Sequence, residues 1–164
     1  MKYTLAVVDM QYHFDTATEE LTIQGCAEQI KIAIKNKNPI VFIEYEGLGE
    51  TLEELTNLTK KYNNTFFVEK SRDDGSRELR QVIREENLPE KIRICGVNFE
   101  CCVFDTAKSL TQNHEITLIA TAVNSWLGLR QLPQAFDMYG KKCKKIKIIH
   151  RTKMLKKIKQ KLAA

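Results

Sequence analysis

Three side chains in this sequence could together activate a nucleophile: the Cys102 thiol, the Asp9 carboxylate and the Lys70 ammonium. A thiol attacks as its thiolate, so it needs a base to take the proton and a cation to favour the charge. Each of the three follows an apolar run. Asp9 ends TLAVVD, Lys70 ends TFFVEK, and Cys102 follows IRICGV and opens a helix-period pattern with Val103, Phe104, Ala107 and Leu110 on one face. A cysteine at a strand-to-helix turn lies near a helix N-terminus, where unpaired N–H groups and the helix dipole favour the thiolate. Any one of these residues alone has a plainer reading. A charged residue after a strand ordinarily begins a solvated loop, and most cysteines simply pack.

The surrounding pattern predicts elements that bring the three to one crevice. Continuous apolar runs predict strands over Thr4–Val8, Ile40–Ile43, Thr65–Val68, Ile92–Val97, Ile116–Ala120 and Lys145–Ile149. Between them, helical spacing appears over Gln24–Lys35, around Leu52, Leu55, Leu58 and Tyr62, from Ser76 as cap through Ile83, from Cys102 to about Asn113, and over Leu132–Tyr139. A basic amphipathic helix is predicted over Lys153–Leu162, while Met10–Glu20 and Ala122–Gly128 read as loops. The alternation predicts a three-layer α/β/α, Rossmann-like domain spanning 1–164: six mostly parallel strands, order 3-2-1-4-5-6, with helices on both faces. In such sheets reactive groups gather at the carboxyl ends of the strands, near the point where strand order reverses.

Composition narrows the classes. The chain has 164 residues, 43% hydrophobic and 29% charged, enough for a core without metals or disulfides. No apolar run approaches the roughly 20 residues needed to span a bilayer. MKYTLAVVDM carries an acid and no small-residue cleavage site, so no signal peptide is expected. The five cysteines, 26, 95, 101, 102 and 143, have no metal-ligand spacing and read as free thiols of a cytoplasmic protein. The net charge of +5 divides unevenly: residues 138–164 hold 11 Lys or Arg and no acid, leaving residues 1–137 with 15 basic and 21 acidic residues. No aromatics interleave with the lysines of Lys141–Lys161, so neither nucleic acid nor membrane is expected as partner. The stripe Met154, Leu155, Ile158 and Leu162 is expected to dock on the body.

Three motifs resemble those of the isochorismatase-like cysteine hydrolases, which include nicotinamidases and related small-amide amidases. VVDMQYHF at 7–14, VEKSRDDGS at 68–76 and GVNFECCVFDTA at 96–107 look like that family's acid, lysine and nucleophile segments, in order and over nearly the whole chain. Aligning Gly96-Val97 and Thr106-Ala107 selects Cys102 rather than Cys101. The resemblance implies a triad: Cys102 attacks an amide carbonyl to form a thioester, Asp9 moves the protons, and Lys70 holds both and favours the thiolate. It also implies a cis peptide between Val97 and Asn98, aiming the N–H of Asn98, with that of Cys102, at the developing oxyanion. Family members are often homodimers or larger, so a homo-oligomer is expected.

The chain departs from the family pattern at several places. His13 stands where an acid is usual and reads as an exposed loop histidine. Asp73-Asp74-Gly75 replaces a segment that often carries a phenylalanine. Nicotinamidases of the family bind a metal through an acid and histidines after the second strand. FIEYEGLGETLEEL here offers Glu44 and Glu46 but no histidine, so no metal or other cofactor is expected. Gln11, Phe14, Tyr45 and Trp126 are candidates for the substrate pocket. The leading reading is hydrolysis of a small carboxamide or carbamoyl compound. An isochorismatase-type vinyl-ether hydrolase is the alternative enzyme, and a non-catalytic Rossmann-like binding module is disfavoured because no G-x-G-x-x-G follows the first strand.

Overall fold

The computed structural model describes residues 2–149, so the helix expected over Lys153–Leu162 lies outside the described residues. Apolar runs become strands β1 (Thr4–Val8), β2 (Ile40–Tyr45), β3 (Thr65–Lys70), β4 (Ile92–Gly96), β5 (Ile116–Val123) and β6 (Ile146–Ile149). They form one sheet, order β3-β2-β1-β4-β5-β6, with every pairing parallel. The expected fold class and strand order both hold. Five helices cover the sheet: α1 (Glu20–Lys35), α2 (Glu53–Thr56), α3 (Ser76–Glu85), α4 (Phe104–Leu110) and α5 (Leu132–Gly140).

The pleat divides the core into two. Leu5 and Val7 of β1 face one side, with Phe42, Cys95, and Cys26, Ile30 and Ala33 of α1. Ala6 and Val8 face the other, with Ile43, Ile94, and residues of α3, α4 and α5 such as Leu79, Phe104 and Leu132. β1 is buried along its whole length, which is why its sequence is a continuous apolar run rather than an alternating one.

Several boundaries differ from the sequence reading. α1 begins at Glu20, four residues early, with Leu21 and Ile23 of its first turn packed against opposite core clusters. The expected helix from Leu52 to Tyr62 is one turn, α2, followed by a 3₁₀ turn over Asn57–Thr59. Only Leu52 and Leu55 of its apolar set are fully buried, and the chain turns away toward β3 at Thr65. Ser76 is the first residue of α3 rather than its cap; its N–H is satisfied by Asp74 Oδ1 at 2.8 Å. β5 runs three residues past Ala120, and its pairing with β4 shifts register between Ile94 and Gly96. Such an irregularity re-aims the backbone beside it.

Gly96 sits at that irregularity with φ +118, and a Cβ there would overlap the Val8 carbonyl oxygen. Both the left-handed backbone and the close approach of β1 require glycine. Gly96→Ala is expected to cost about 3 kcal/mol or more, combining overpacking with an unfavourable φ. A denaturation midpoint indistinguishable from wild type would refute this.

Candidate active site

The carboxyl ends of β1, β3 and β4 converge as the strand order requires. Asp9 follows β1 with φ +52, and its N–H bonds the Ile43 carbonyl at 2.9 Å. Asp tolerates this left-handed conformation better than most residues, and here it turns the carboxylate off the strand and into the interior. Lys70 ends the edge strand β3, paired in register with Tyr45. Its Nζ lies 2.9 Å from Asp9 Oδ2, and neither side chain is exposed to solvent. The ammonium also donates to the Arg72 carbonyl at 3.0 Å and stands 4.1 Å above the Tyr45 ring. Gly75 leaves room for the lysine stem: a Cβ there would come within 2.9 Å of Lys70 Cδ and 3.0 Å of Ile43 Cγ2. Gly75→Ala is therefore expected to displace the ammonium and lower turnover about tenfold, read as kcat with an unchanged far-UV spectrum. Unchanged kcat would mean that the lysine stem accommodates the methyl group.

Cys102 does not open a regular helix. It lies in a π-helical turn, Phe99–Val103, that precedes α4. Such turns recur at functional sites because they displace one residue from the ordinary ladder. The Val97–Asn98 peptide is cis. The loop around it is fastened throughout: Val97 N–H bonds Val8 O at 2.9 Å, Phe99 N–H bonds Asn124 O at 2.8 Å, and the Asn98 carbonyl accepts from Val103 N–H at 3.1 Å. Thr16 Oγ1 donates to Asn98 Oδ1 at 2.7 Å. Glu100 ties the turn to the loop after β5, accepting from Ser125 Oγ and from Trp126 N–H.

The electrostatics modify the sequence reading of the nucleophile. The Cys102 thiol is only 3% exposed. Cys101, burial and the Asp9 carboxylate push its pKa upward, against the weaker opposite pull of Lys70. Half-buried Cys101 shifts downward, chiefly through its hydrogen bond with Cys102. Cys101, burial and the adjacent carboxylate thus act against the thiolate that a helix terminus would favour. Asp9 is itself raised, first by burial, with Lys70 and Cys102 acting to lower it. Both of its oxygens are buried, with Oδ2 held by Lys70.

The structure places near the thiol one residue that was not among the expected site residues. Asp73 Oδ1 lies 3.6 Å from Cys102 Sγ and accepts the thiol proton as a hydrogen bond. Its only sequence signal was the departure of Asp73-Asp74-Gly75 from the family pattern. Asn124 was also missed; its side-chain amide bonds Thr16 O and Thr22 Oγ1 at 3.1 and 3.0 Å and braces the nucleophile loop.

The expected pocket residues separate. Tyr45 stands at the site under Lys70. Gln11 does not line a free surface: it is buried, its Nε2 bonding Tyr45 O at 3.0 Å and its Oε1 accepting from Tyr45 N–H at 2.7 Å. A side chain whose amide groups straddle the backbone of β2 serves to fasten two strand ends. Phe14 is partly buried against the α1 side of the core. Trp126, 61% exposed, borders a separate hollow of about 210 Å³ with Glu100, Leu127, Ala135, Met138 and Tyr139. Neither Asp9, Lys70 nor Cys102 lines that hollow. His13 is exposed.

Among the described residues no group of three or more His, Cys, Asp or Glu side chains could hold a metal ion. Glu44 Oε1 instead accepts from the N–H and Oγ1 of Thr51 at 2.7 and 2.6 Å. Nor is any helix among the described residues long and apolar enough to cross a membrane.

This architecture is shared with solved structures of amide-cleaving enzymes. The nicotinamidase of Staphylococcus aureus superposes with TM-score 0.74 at 21% identity, covering 90% of this chain and 98% of that one. The N-carbamoylsarcosine amidase of Thermoplasma acidophilum gives 0.70 at 18% identity, over 90% and 95% of the two chains. The zinc complex of the Pyrococcus horikoshii pyrazinamidase gives 0.69 at 19% identity, over 91% and 99%. At these identities the likeness establishes the fold alone. No protein-family model matches the sequence, and no curated protein matches it.

Proposed function

We propose that this chain is a cysteine hydrolase that cleaves a small carboxamide or carbamoyl compound through a thioester on Cys102. The observation that carries this reading is the fully buried Asp9–Lys70 pair, at 2.9 Å, beside a buried thiol in a π-helical turn. Burying two charges is costly. A proton acceptor next to a protonated thiol supplies what an attack on a carbonyl requires.

The Asp9 carboxylate takes the proton from Sγ as sulfur attacks the carbonyl carbon. The N–H groups of Asn98 and Cys102 are the proposed donors to the resulting oxyanion. Asp9 then passes the proton to the departing ammonia or amine, leaving the thioester. In the second half Asp9 deprotonates water, which attacks the thioester and displaces the thiolate; the acid product leaves, and Asp9 returns the proton to Sγ to restore the thiol. Lys70 keeps Asp9 ionised against burial and steadies the thiolate. A homo-oligomer in the cytoplasm, with no cofactor, completes the proposal.

Ammonia release across a panel of small amides, with Cys102→Ala as control, tests it. Silence across the panel together with turnover of a vinyl ether by both proteins would replace the amidase reading by the isochorismatase one. The pH profile adds a second check. The base must be ionised to act, so kcat/KM is expected to fall on acidification through a pKa above the usual carboxylate range, since burial raises Asp9. Folding has the matching sign. The native state holds this proton more tightly than the unfolded chain, so the Asp9 contribution to stability declines as pH rises through the same window. A kcat/KM flat down through the ordinary carboxylate range would exclude Asp9 as the base.

A further inference from the structure

From the placement of Asp73 over the nucleophile, we infer that the substrate carries a cationic nitrogen, a protonated amine or a guanidinium, within a few atoms of the scissile carbonyl, and that Asp73 selects it. The inference rests on the amide-hydrolase reading above. A carbonyl carbon poised for attack stands about 3–3.5 Å from sulfur. Asp73 Oδ1 is itself 3.6 Å from Sγ, so a substituent of that carbon comes within reach of the carboxylate.

The turn that presents Asp73 is held from both sides. Lys70 Nζ bonds the Arg72 carbonyl at 3.0 Å, Gly75 N–H bonds Thr106 Oγ1 at 2.9 Å, and Ser109 Oγ donates to Asp74 Oδ2 at 2.6 Å. Asp74 is thereby engaged with α4 and α3, whereas the Asp73 carboxylate accepts from the Cys102 thiol. The Lys70 ammonium of the site is already committed to Asp9. Asp105 lies close enough to Asp73 and Asp74 that both add to the effect of burial in raising its pKa, with Lys108 and Lys142 opposing.

With Cys102 only 3% exposed, a substrate must displace the thiol from Asp73 to reach it. A neutral amide would break that contact and leave the carboxylate of exposed Asp73 to water alone. A cationic nitrogen takes the place of the thiol as partner, and the freed thiol is left to Asp9. One-signed clefts raise the local concentration of oppositely charged ligands about 10–10³-fold.

Two measurements test this. Glycinamide and propionamide are near-isosteres that differ by one protonated amine. The wild-type ratio of their kcat/KM values is expected to be at least about 10 and to fall to about 1 in Asp73→Asn. A ratio near 1 in wild type, or one unchanged by the substitution, overturns the inference while leaving amide hydrolysis intact. The second needs no turnover. The alkylation rate of Cys102, located by tandem mass spectrometry, is compared for cationic 2-bromoethylamine and neutral iodoacetamide, each normalised to a free thiol in solution. The cationic reagent is expected to be favoured at least about tenfold, and Asp73→Asn to abolish the preference. An equal preference in both proteins overturns the inference; a silent amide panel alongside a preference lost in Asp73→Asn would sink the hydrolase reading and keep the cation site.

Discussion

Cys102→Ala is expected to lower turnover of any amide substrate by roughly 10⁴–10⁶-fold while leaving the fold intact, because a group that forms the covalent bond has no substitute. The structural cost is small. The side chain lost is one sulfur atom at a site that retains its cis-peptide loop and the hydrogen bonds of Asn98 and Glu100. Substrate binding should survive, so KM is expected to move far less than kcat. The measurement is steady-state ammonia release together with a thermal melt. Retention of more than a hundredth of wild-type kcat would remove Cys102 as nucleophile and leave Asp9 as the acting group, as vinyl-ether chemistry would have it. Cys101 is the natural rival, being adjacent, half-buried and lower in pKa. Cys101→Ser is expected to leave thioester formation in place, which intact-mass trapping of an acyl-enzyme would show.

Lys70→Met is expected to be the most destabilising single change at the site. It leaves the Asp9 carboxylate fully buried beside a fully buried apolar side chain, and stranding one partner of such a pair costs about 3–5 kcal/mol. The Arg72 carbonyl and the Tyr45 face lose their cation as well. Asp9 answers by holding its proton to higher pH, since Lys70 is the strongest influence keeping it ionised. Activity therefore falls even where the protein stays folded. Asp9→Asn added to Lys70→Met should recover most of the lost stability, because the neutral pair no longer buries a lone charge and Asn accepts the φ of +52. Urea denaturation of the four proteins in a double-mutant cycle gives the coupling directly. If the two single losses simply add in the double variant, the pair is not coupled and the buried contact contributes nothing.

The elements were legible to different degrees, for physical reasons. β1 appears in the sequence with its observed bounds because a strand buried on both faces must be apolar throughout. The Leu52–Tyr62 segment was misread because leucines at helical spacing are compatible with one helical turn followed by a tighter one. The choice between them depends on where the chain must go next. Gln11 looked like a pocket residue because it is polar and lies beside Asp9. Its actual partners, 34 residues away on Tyr45, become visible only once β1 and β2 are paired.

The sequence by itself determined the alternation of six apolar runs with amphipathic segments, and hence a parallel sheet with Asp9, Lys70 and the Cys102 turn at its carboxyl edge. Those features depend on local periodicity, which the order of residues carries directly. Only the tertiary structure decided the electrostatic surroundings of the thiol and the neighbour that faces it. Both depend on burial and on distances between residues far apart in the chain: 93 positions between Asp9 and Cys102, and the 29 that separate Asp73 from the sulfur it touches.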